Sequence, residues 1–489
     1  MPSSKREAVR PMAKIQAALL AAALLAALPV WADDTLLEIL RGKAILTEDE
    51  YRSLKTAGAS KRVEEGLLDL LKAKGVLTER EYLALRQTDQ AAMPQKKETR
   101  KNEITAVFKD GIVFEDENKD FSLALAGRVQ ADWRSFDTPS ADTFEVRRAR
   151  LGMEATFYRD YQAEVTADFA ATSKLDTAYV NAAWWDAAQL RMGLFKMPFS
   201  LEELTSSKYI DFQERSLANP QAIGKERGIM LHGAPAKGVY YGVALSNGNG
   251  GSDRDDNDSK DLIGRLTLNF AEIAGYRDAV IHLGAAFSNG HQPVGDIVPK
   301  GRTEGRGVTF FDLPTFTGSR TEVRRSCLET ALSKGSLKFQ AEAITTGYSG
   351  TSATGVGYDR DLSAWYASLN WLATGESYAG AYKRGAFGRI RPHSNFTKRG
   401  GKGAVELGLR YSKLDAADFT AANPAGTGVL SAGMTNEADA WSLGAKWIVN
   451  PNTRFLANYV RTRFDSPVTV SGATLDKENA FTLRGQMDF

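Results

Sequence analysis

The feature that most limits how this chain can fold is an alternation of apolar and polar side chains from about residue 104 to the last residue. In YQAEVTADF (161–169), every second residue is apolar, and Gln, Glu, Thr and Asp stand between them. A period of two is that of a β strand, whose successive side chains point to opposite faces. Each such segment therefore has one face suited to lipid or a core and one face suited to water.

About 16 segments show this alternation. The last, ENAFTLRGQMDF, ends on Phe489 with Phe481, Leu483 and Met487 on the same face. An even number of such strands is typical of bacterial outer-membrane barrels, although a soluble β sandwich also alternates. The segments lie near 121–133, 144–157, 161–169, 176–186, 189–196, 226–233, 238–247, 261–270, 278–288, 326–334, 336–346, 361–372, 403–413, 437–448, 453–464 and 478–489.

The connections alternate in length, as short periplasmic turns alternate with long extracellular loops in such barrels. We therefore predict an all-β transmembrane barrel of about 16 antiparallel strands. The connection 373–402 is long where a short turn is expected, so either a strand is miscounted there or the turn is elaborated. The short connections are 158–160, 234–237, 334–335 and 450–452, and the long ones are 197–225, 289–325 and 414–436.

The first residues predict export. Four basic residues precede the apolar run IQAALLAAALLAALPVWA, which ends at Ala32. A basic segment, an apolar segment and small residues at its end form a secretory signal peptide; an uncleaved membrane anchor is the alternative. An exported barrel of this size fits the outer membrane of a Gram-negative cell.

The stretch between the signal peptide and the barrel lacks the alternation. LLEILRGKAILTEDEYRSL (36–54) is echoed by LLDLLKAKGVLTEREYLAL (67–85), and each copy contains a Thr-x-x-Glu capping box. We predict a small helical periplasmic module, which either contacts the cell wall or a periplasmic partner or serves only as a spacer. The predicted segments are the signal peptide 1–32, the helical module 33–86, the linker 87–103 and the barrel 104–489.

The composition and motifs of the chain argue against several classes of function. The chain has 62 Lys and Arg residues against 60 Asp and Glu residues, so no bulk charge points to nucleic acid. The single cysteine, Cys327, excludes an internal disulfide, and the four histidines lack the spacing of metal ligands. The acidic stretch 247–261 lacks the spacing of an EF-hand, and no nucleophile motif is present. We expect no metal, no cofactor and no enzymatic activity.

The candidate constriction of the barrel is KMPFSLEELTSSKYIDFQERSLANP (196–220), which mixes Lys208 and Arg215 with acidic and aromatic residues. It either folds into the lumen or covers the barrel from outside. Basic rings favour anions and acidic rings favour cations, and the predicted lumen face carries both. The lumen-facing charges of the strands are Arg128, Arg148, Arg150, Glu154 and Asp168.

Several motifs resemble those of the phosphate-selective porin family, porins O and P. These motifs are GRVQADW, FEVRRARLG, YRDYQAEVTADF and GLFKMPFSLEELTSSKYIDFQERSL, together with the terminal Phe489. The resemblance covers about 104–489 and implies a homotrimeric 16-stranded outer-membrane porin with an in-folded constriction loop. It also implies that Phe489 belongs to the signal read by the barrel-assembly machinery.

The resemblance further implies roles for individual residues. Lys208 corresponds to a lysine at the family's central anion site, and Arg147 and Arg148 correspond to an arginine pair on the channel wall. Lys300, Arg302 and Arg306 lie where the family's fifth loop carries a ladder of arginines. The sequence departs from the family at two places: about 341–361, which should supply further lysines, has only Arg360, and Glu304 interrupts the fifth-loop run.

The sequence thus favours a porin for passive diffusion of small anions, phosphate or polyphosphate among them. A general or weakly selective porin and a structural or adhesive barrel are the alternatives. The expected partners are small anionic solutes, outer-membrane lipid, two further copies of the chain and the barrel-assembly machinery, without nucleic acid. The candidate channel residues are Lys208, Arg147, Arg148, Arg150, Arg215, Lys300, Arg302 and Arg306.

Overall fold

The computed structural model divides the chain into two units, 1–101 and 102–489. It describes residues 47–49, 104–108, 111–170, 174–250, 258–292, 300–312, 316, 320–420 and 427–489. The predicted signal peptide, helical module and linker lie outside these residues except for 47–49, so they remain predictions. Among the described residues, no helix is both long and apolar enough to cross a membrane.

The second unit consists almost entirely of strands. The described residues of this unit form two α helices, α1 (Leu201–Leu204) and α2 (Phe270–Ile273), of four residues each. The strands are β1 Ile104–Phe108, β2 Ile112–Asp116, β3 Phe121–Phe136, β4 Thr143–Phe157, β5 Tyr161–Asp168, β6 Lys174–Trp185, β7 Ala188–Lys196, β8 Lys225–Ala236, β9 Val239–Ser246, β10 Asp261–Asn269, β11 Ala279–Gln292, β12 Lys300–Arg302, β13 Thr309–Asp312, β14 Thr321–Lys334, β15 Leu337–Thr351, β16 Gly357–Leu372, β17 Tyr382–Lys383, β18 Ala386–Phe387, β19 Ala404–Asp415, β20 Glu437–Asn450, β21 Thr453–Val470 and β22 Ala473–Asp488.

The main sheet closes on itself. In the described part of the chain it contains 18 strands, each antiparallel to its sequence neighbour in the sheet. β22 pairs with β3, from Ala480 opposite Phe136 to Asp488 opposite Arg128. Leaving out β1 and β2, which lie beyond this closure, 16 strands form the barrel, and the predicted number is confirmed.

The last residue lies in the seam where the barrel closes. The backbone N–H of Phe489 donates to the carbonyl of Gly127 at 3.0 Å, and the N–H of Gly127 donates to the carbonyl of Phe489 at 2.8 Å. The Phe489 ring covers Gly127 so closely that a Cβ there would lie 2.3 Å from ring Cζ. β2 pairs with the first residues of β3, beyond the point where the pairing with β22 ends. The hairpin β1–β2, which the sequence analysis did not predict, thus extends the sheet beyond the C-terminus.

The two faces of each strand meet different surroundings. On β22, Leu483 and Met487 are 40% and 59% exposed on the outside, whereas Thr482, Arg484 and Gln486 are buried on the lumen side. Apolar residues exposed outward in this pattern suit contact with lipid. The polar residues are buried because segments of the chain occupy much of the lumen.

Two connections fold into the lumen. The constriction loop (197–224) follows β7, and the inner loop (373–403) lies between β16 and β19. The connection 373–402 is therefore long because it is an elaborated turn, and not because a strand was miscounted. Tyr378 and Phe387 of the inner loop pack with Leu201 of the constriction loop and with lumen residues such as Val280.

These loops divide the lumen unequally. Along the wall from β14 to β21, called the filled wall, buried side chains close the space. Tyr348 and Leu362 pack there with Phe310 of β13 and with Phe419 of the connection between β19 and β20. Along the wall from β3 to β10, called the open wall, the lumen contains an open chamber.

Candidate channel site

The constriction loop is held by a local helix start and by the strands it crosses. Ser200 caps α1 by accepting a hydrogen bond from the N–H of Glu203, as Ser does at helix N-termini. The Glu342 carboxylate on β15 accepts from the Ser200 hydroxyl at 2.7 Å and from the N–H groups of Leu201 at 3.0 Å and Glu202 at 2.6 Å. A lumen carboxylate thus binds the N–H groups that a helix start leaves free. Glu342 fixes where the loop enters the lumen.

The middle of the loop is held by an aromatic ring between two glycines. Phe212 packs on Gly408 of β19 and Gly444 of β20, where an added Cβ would lie 3.0 Å from a ring carbon in each case. The Arg410 guanidinium lies 4.4 Å from the ring centroid. Both glycines are therefore needed for the close approach of Phe212 to the wall.

Buried ion pairs attach the constriction loop both to the filled wall and to the seam between β22 and β3. Arg410 pairs with Glu304 at 2.6 Å and with Glu202 at 3.3 Å. Arg484 pairs with Asp132 at 2.7 Å and with Glu214 of the loop at 3.0 Å. Although burial opposes the ionisation of Glu214, the surrounding arginines outweigh it and hold the pKa of this carboxyl well below its ordinary value. These charges neutralise one another within the protein. They hold the constriction loop in place and are not available to a solute.

The chamber has a volume of about 1020 Å³. Ten of its lining residues are Lys or Arg and four are Asp or Glu, an excess of six positive charges. It reaches the periplasmic end of the barrel, where the short turns lie. The cationic residues are Arg128, Arg150, Arg159, Arg191, Lys196, Lys208, Lys225, Arg265, Lys383 and Arg384; the anionic ones are Glu154, Glu164, Asp176 and Asp186.

Lys208 lies where the constriction loop borders the chamber. Its carbonyl oxygen accepts hydrogen bonds from Arg454 at 2.9 Å and from Gln486 at 3.1 Å. These bonds fix the backbone, whereas the Nζ has neither a hydrogen bond nor an ion pair among the described residues. Burial lowers the pKa of the Lys208 amine from its usual value. The residue is therefore a positioned cation whose charge is available to a solute.

Arg147, Arg148 and Arg150 occupy different surroundings on β4. Arg147 pairs with Glu214 of the constriction loop at 3.0 Å. Arg148 is buried and donates to Gln130 at 2.9 Å, but its Nε has no partner. Arg150 lines the chamber and pairs with Asp168 at 2.7 Å and Asp176 at 2.6 Å. The sequence thus brings the three arginines to one wall, and only Arg150 lines the chamber.

Arg215 does not line the chamber. Its guanidinium donates to the backbone carbonyls of Glu202, Glu203 and Thr205 at 3.0 to 3.1 Å. It also pairs with the Glu203 carboxylate at 3.2 Å. The contacts of Arg215 hold α1 against the second half of the constriction loop.

The residues of the fifth loop lie on the hairpin β12–β13. Lys300 is exposed and pairs with Asp312 at 3.2 Å. Arg302 donates to the carbonyl of Arg306, and both guanidiniums lie close enough to Glu214 to act on it electrostatically. Glu304 turns inward, where it binds Arg410 and the hydroxyls of Ser412 and Ser442. The acidic residue that interrupts the basic run therefore anchors the loop to the wall.

The region without lysines, about 341–361, belongs to the filled wall. Its lumen positions include Glu342, which holds α1, and the buried Ile344, Thr346 and Tyr348. Phe316 stacks on Tyr348 and Tyr358 with ring centroids 5.6 and 5.0 Å apart. Lysines on this wall would meet packed side chains instead of solvent.

Several chamber cations were not singled out from the sequence. Arg191 and Arg265 lie at lumen positions of predicted strands, so the alternation could have identified them. Lys196 has the parity of the outward-facing residues of its predicted strand, and Lys225 lies in the predicted loop 197–225, so the alternation could not have identified these two. Lys383 and Arg384 are on the inner loop, and no pattern in 373–402 indicates that this turn enters the lumen. Arg265 and His282 hold it there, by hydrogen bonds to the Gly385 carbonyl at 2.8 Å and the Tyr382 hydroxyl at 2.7 Å.

Comparison with known proteins agrees with this architecture. Residues 123–489 match the family described as phosphate-selective porin O and P. Porin O of Pseudomonas aeruginosa is 28% identical over 425 residues, which cover 79% of this chain and 93% of that protein.

Two solved structures have a similar overall course of the chain. The outer membrane channel DcaP of Acinetobacter baumannii has a TM-score of 0.49 and 12% identity, covering 77% of this chain and 99% of that one. An anion-selective porin from Comamonas acidovorans has a TM-score of 0.46 and 13% identity, covering 76% and 100%. The family assignment depends on the sequence match over the barrel. The chain belongs to the phosphate-selective porin O and P family and is a porin of the Gram-negative outer membrane.

Proposed function

We propose that this porin allows small anions to diffuse passively across the outer membrane, phosphate and polyphosphate among them. The observation that carries the proposal is the excess of six positive charges around the chamber. A lumen lined by Lys and Arg attracts anions and repels cations. Lys208 is the residue we assign to the central anion site, because its amine is positioned and has no partner among the described residues. We also propose that Arg147 and Arg148 on β4 and Arg302 and Arg306 of the fifth loop, which lie around Glu214 outside the chamber lining, attract anions toward the constriction loop.

A general porin with weak ion preference is the second candidate. Its support is the partial neutralisation of the chamber, since Arg150 and Lys225 both pair with Asp176. Glu154 and Glu164 also lie directly opposite each other on neighbouring strands. If these carboxylates dominate the local potential, cations pass as readily as anions.

The reversal potential of the purified protein in planar bilayers under a KCl gradient separates the two candidates. The wild type is compared with Lys208→Glu, with and without inorganic phosphate. Lys477→Glu is the matched control, because Lys477 is exposed and lies on the outer face of β22, next to the lumen-facing Glu478. We expect anion preference and phosphate block in the wild type and in the control, and loss of both in Lys208→Glu.

Cation preference in the wild type, or equal behaviour of Lys208→Glu and Lys477→Glu, would instead establish a general porin. Absence of any steady conductance would favour the structural or adhesive barrel. We assign the protein no catalytic role, and assay of hydrolysis of ester and phosphoester substrates by the purified barrel is expected to give no turnover.

We further propose that the channel is a homotrimer and that residues 33–86 contact the cell wall or a periplasmic partner. Native mass measurement of the detergent-extracted protein tests the first proposal, and release of the protein from peptidoglycan after deletion of 33–86 tests the second.

We also propose that the barrel-assembly machinery recognises Phe489. Deleting this residue removes the ring over Gly127 and the two backbone hydrogen bonds between Phe489 and Gly127. We expect a severalfold lower level of the variant in the outer membrane, measured by quantitative blotting of membrane fractions. Phe489→Tyr, which keeps the ring and the backbone, serves as the control; normal levels of the deletion variant would refute the proposal.

A further inference from the structure

The chamber contains a second cation whose charge no described partner neutralises. Arg191 of β7 lies at a lumen position, and its guanidinium carbon is 4.2 Å from the ring centroid of Tyr179 and 5.8 Å from that of Phe195. None of its guanidinium nitrogens forms an ion pair or a hydrogen bond with another described residue, and its Nε is buried without a partner. The side chain is fixed by stacking alone.

This kind of support leaves an arginine ready to bind an anion. Stacking on an aromatic ring uses the face of the guanidinium, whereas its N–H donors lie around the edge. Those donors match the oxygens of a phosphate, which an arginine can bind through two parallel hydrogen bonds. In contrast, the neighbouring chamber cations Arg150 and Lys225 already have carboxylate partners.

Two carboxylates lie near the Arg191 site. Glu154 lies within electrostatic range of both Lys208 and Arg191, and Glu164 lies directly opposite Glu154. Both carboxylates are close enough to the Tyr179 hydroxyl to act on it electrostatically. They moderate the positive potential at Arg191 without forming an ion pair with it.

The inner loop supplies the other side of the Arg191 site. Lys383 and Arg384 line the same chamber, and both Arg191 and Arg384 lie close enough to His232 to act on it electrostatically. Arg384 is held by an ion pair with Asp186 in the turn between β6 and β7. The loop thus brings positive charge to the Arg191 side of the chamber near its periplasmic end.

We propose that Arg191, stacked on Tyr179, forms a second binding site for phosphate-type anions near the periplasmic end of the chamber. The proposal rests on the proposed anion channel and adds to it a site reached from the periplasm. Two such sites in one chamber allow each anion to bind and still leave, because an ion at one site lowers the affinity for an ion at the other.

The test is block of the chloride current by inorganic phosphate added to one side of the bilayer at a time, with channels inserted in a uniform orientation. Arg191→Gln is compared with Arg159→Gln, which removes the same charge from another chamber arginine that already pairs with Asp120. We expect Arg191→Gln to raise the apparent Kd for phosphate from the periplasmic side by about tenfold or more. The Kd from the extracellular side, set at Lys208, should change much less.

Two further variants distinguish a binding role from a packing role. Tyr179→Leu removes the stacking platform but keeps the charge, so we expect a smaller loss of periplasmic block than in Arg191→Gln. Arg191→Lys keeps the charge without the planar donors and should restore part of the block. All variants are first checked for the heat-modifiable electrophoretic mobility of a folded barrel.

The outcomes also separate this proposal from the anion channel itself. If wild type shows phosphate block at Lys208 but Arg191→Gln matches Arg159→Gln from the periplasmic side, the second site is refuted and the anion channel stands. If wild type shows no phosphate block from either side, the anion channel and the second site both fall.

Discussion

The filled wall and the open wall use the same kind of strand and place similar charged residues in the lumen, but they give those charges different roles. Arg410 on the filled wall is 3% exposed and is enclosed by Glu304, Glu202 and the Phe212 ring. Arg191 on the open wall is half-buried and touches only aromatic faces. Whether a lumen arginine holds the constriction loop or faces a solute therefore depends on the residues that the loops place next to it.

Of the variants that test this comparison, Arg410→Ala should cause the largest loss of unfolding free energy. The substitution leaves the buried carboxylates of Glu304 and Glu202 without their cation, which costs about 3 to 5 kcal/mol when a buried pair loses one partner. Urea unfolding of the detergent-refolded protein, followed by tryptophan fluorescence, measures the loss of unfolding free energy.

The control for this variant is Lys413→Ala on the same strand. Lys413 pairs with Glu437 at 3.0 Å, and both side chains are about one-third exposed. Removing it should cost about 1 kcal/mol or less. Equal losses in the two variants would mean that the ion pairs of the filled wall do not hold the constriction loop.

Gly444→Val should have an intermediate effect, because the added side chain would displace Phe212 from the wall. The new Cβ would lie 3.0 Å from the ring and 2.8 Å from the Asn458 amide nitrogen, and such overpacking costs about 1 to 3 kcal/mol. We expect a less stable barrel with a noisier single-channel current, since the loop bordering the chamber loses its support.

Gly264→Val on β10 is the control, because Gly264 lies on the outward face of its strand with Leu262 and Leu266 and contacts neither loop. A Cβ at Gly264 meets no atom within 4 Å, so neither stability nor current noise should change. A quiet current in Gly444→Val would contradict the role assigned to Phe212.

Lys208→Arg should have the smallest effect, which is a change in how anion preference depends on pH. It tests the role of a lumen cation on the open wall. Burial disfavours the charged amine and lowers the pKa of Lys208, so its charge is present at neutral pH and is lost as pH rises, earlier than for an ordinary lysine. Arginine stays protonated throughout this range. We expect the wild type to lose anion preference more steeply than Lys208→Arg between about pH 7 and about pH 10.

Reversal potentials measured along this pH series provide the test. The two proteins differ only at position 208, so the difference between the two curves reports Lys208. Superimposable curves would show that Lys208 does not set the selectivity.

The barrel could be predicted from the sequence because alternation is a local property of each strand. The 16 predicted segments match β3 to β22 once the short hairpins of the loops are set aside, although several strands run further, as β21 does to Val470. The strand ends were missed because polar residues face water on both sides beyond the membrane. The hairpin β1–β2 was missed because its five-residue strands are too short to show a period.

The site was less predictable because pairing depends on contacts between distant residues. The alternation places Arg148 and Arg150 in the lumen, but it cannot show that Arg150 pairs with Asp176, 26 residues away. Arg215 looks like a channel cation in the sequence and instead binds backbone carbonyls of its own loop. The entry of 373–402 into the lumen depends on Arg265 and His282, which lie more than 90 residues earlier.

Because the inner loop enters the lumen, it limits the cross-section of the solutes that can permeate. The constriction loop and the inner loop occupy much of the lumen, and the chamber that they leave open lies along the open wall, so the route left to a solute follows one side of the barrel instead of its axis. Passage then depends on molecular cross-section more than on mass. A slender chain of linked phosphates meets a lower barrier than a bulky antibiotic of equal molecular weight, and permeability of the cell envelope to such drugs should respond little to how much of this porin is made.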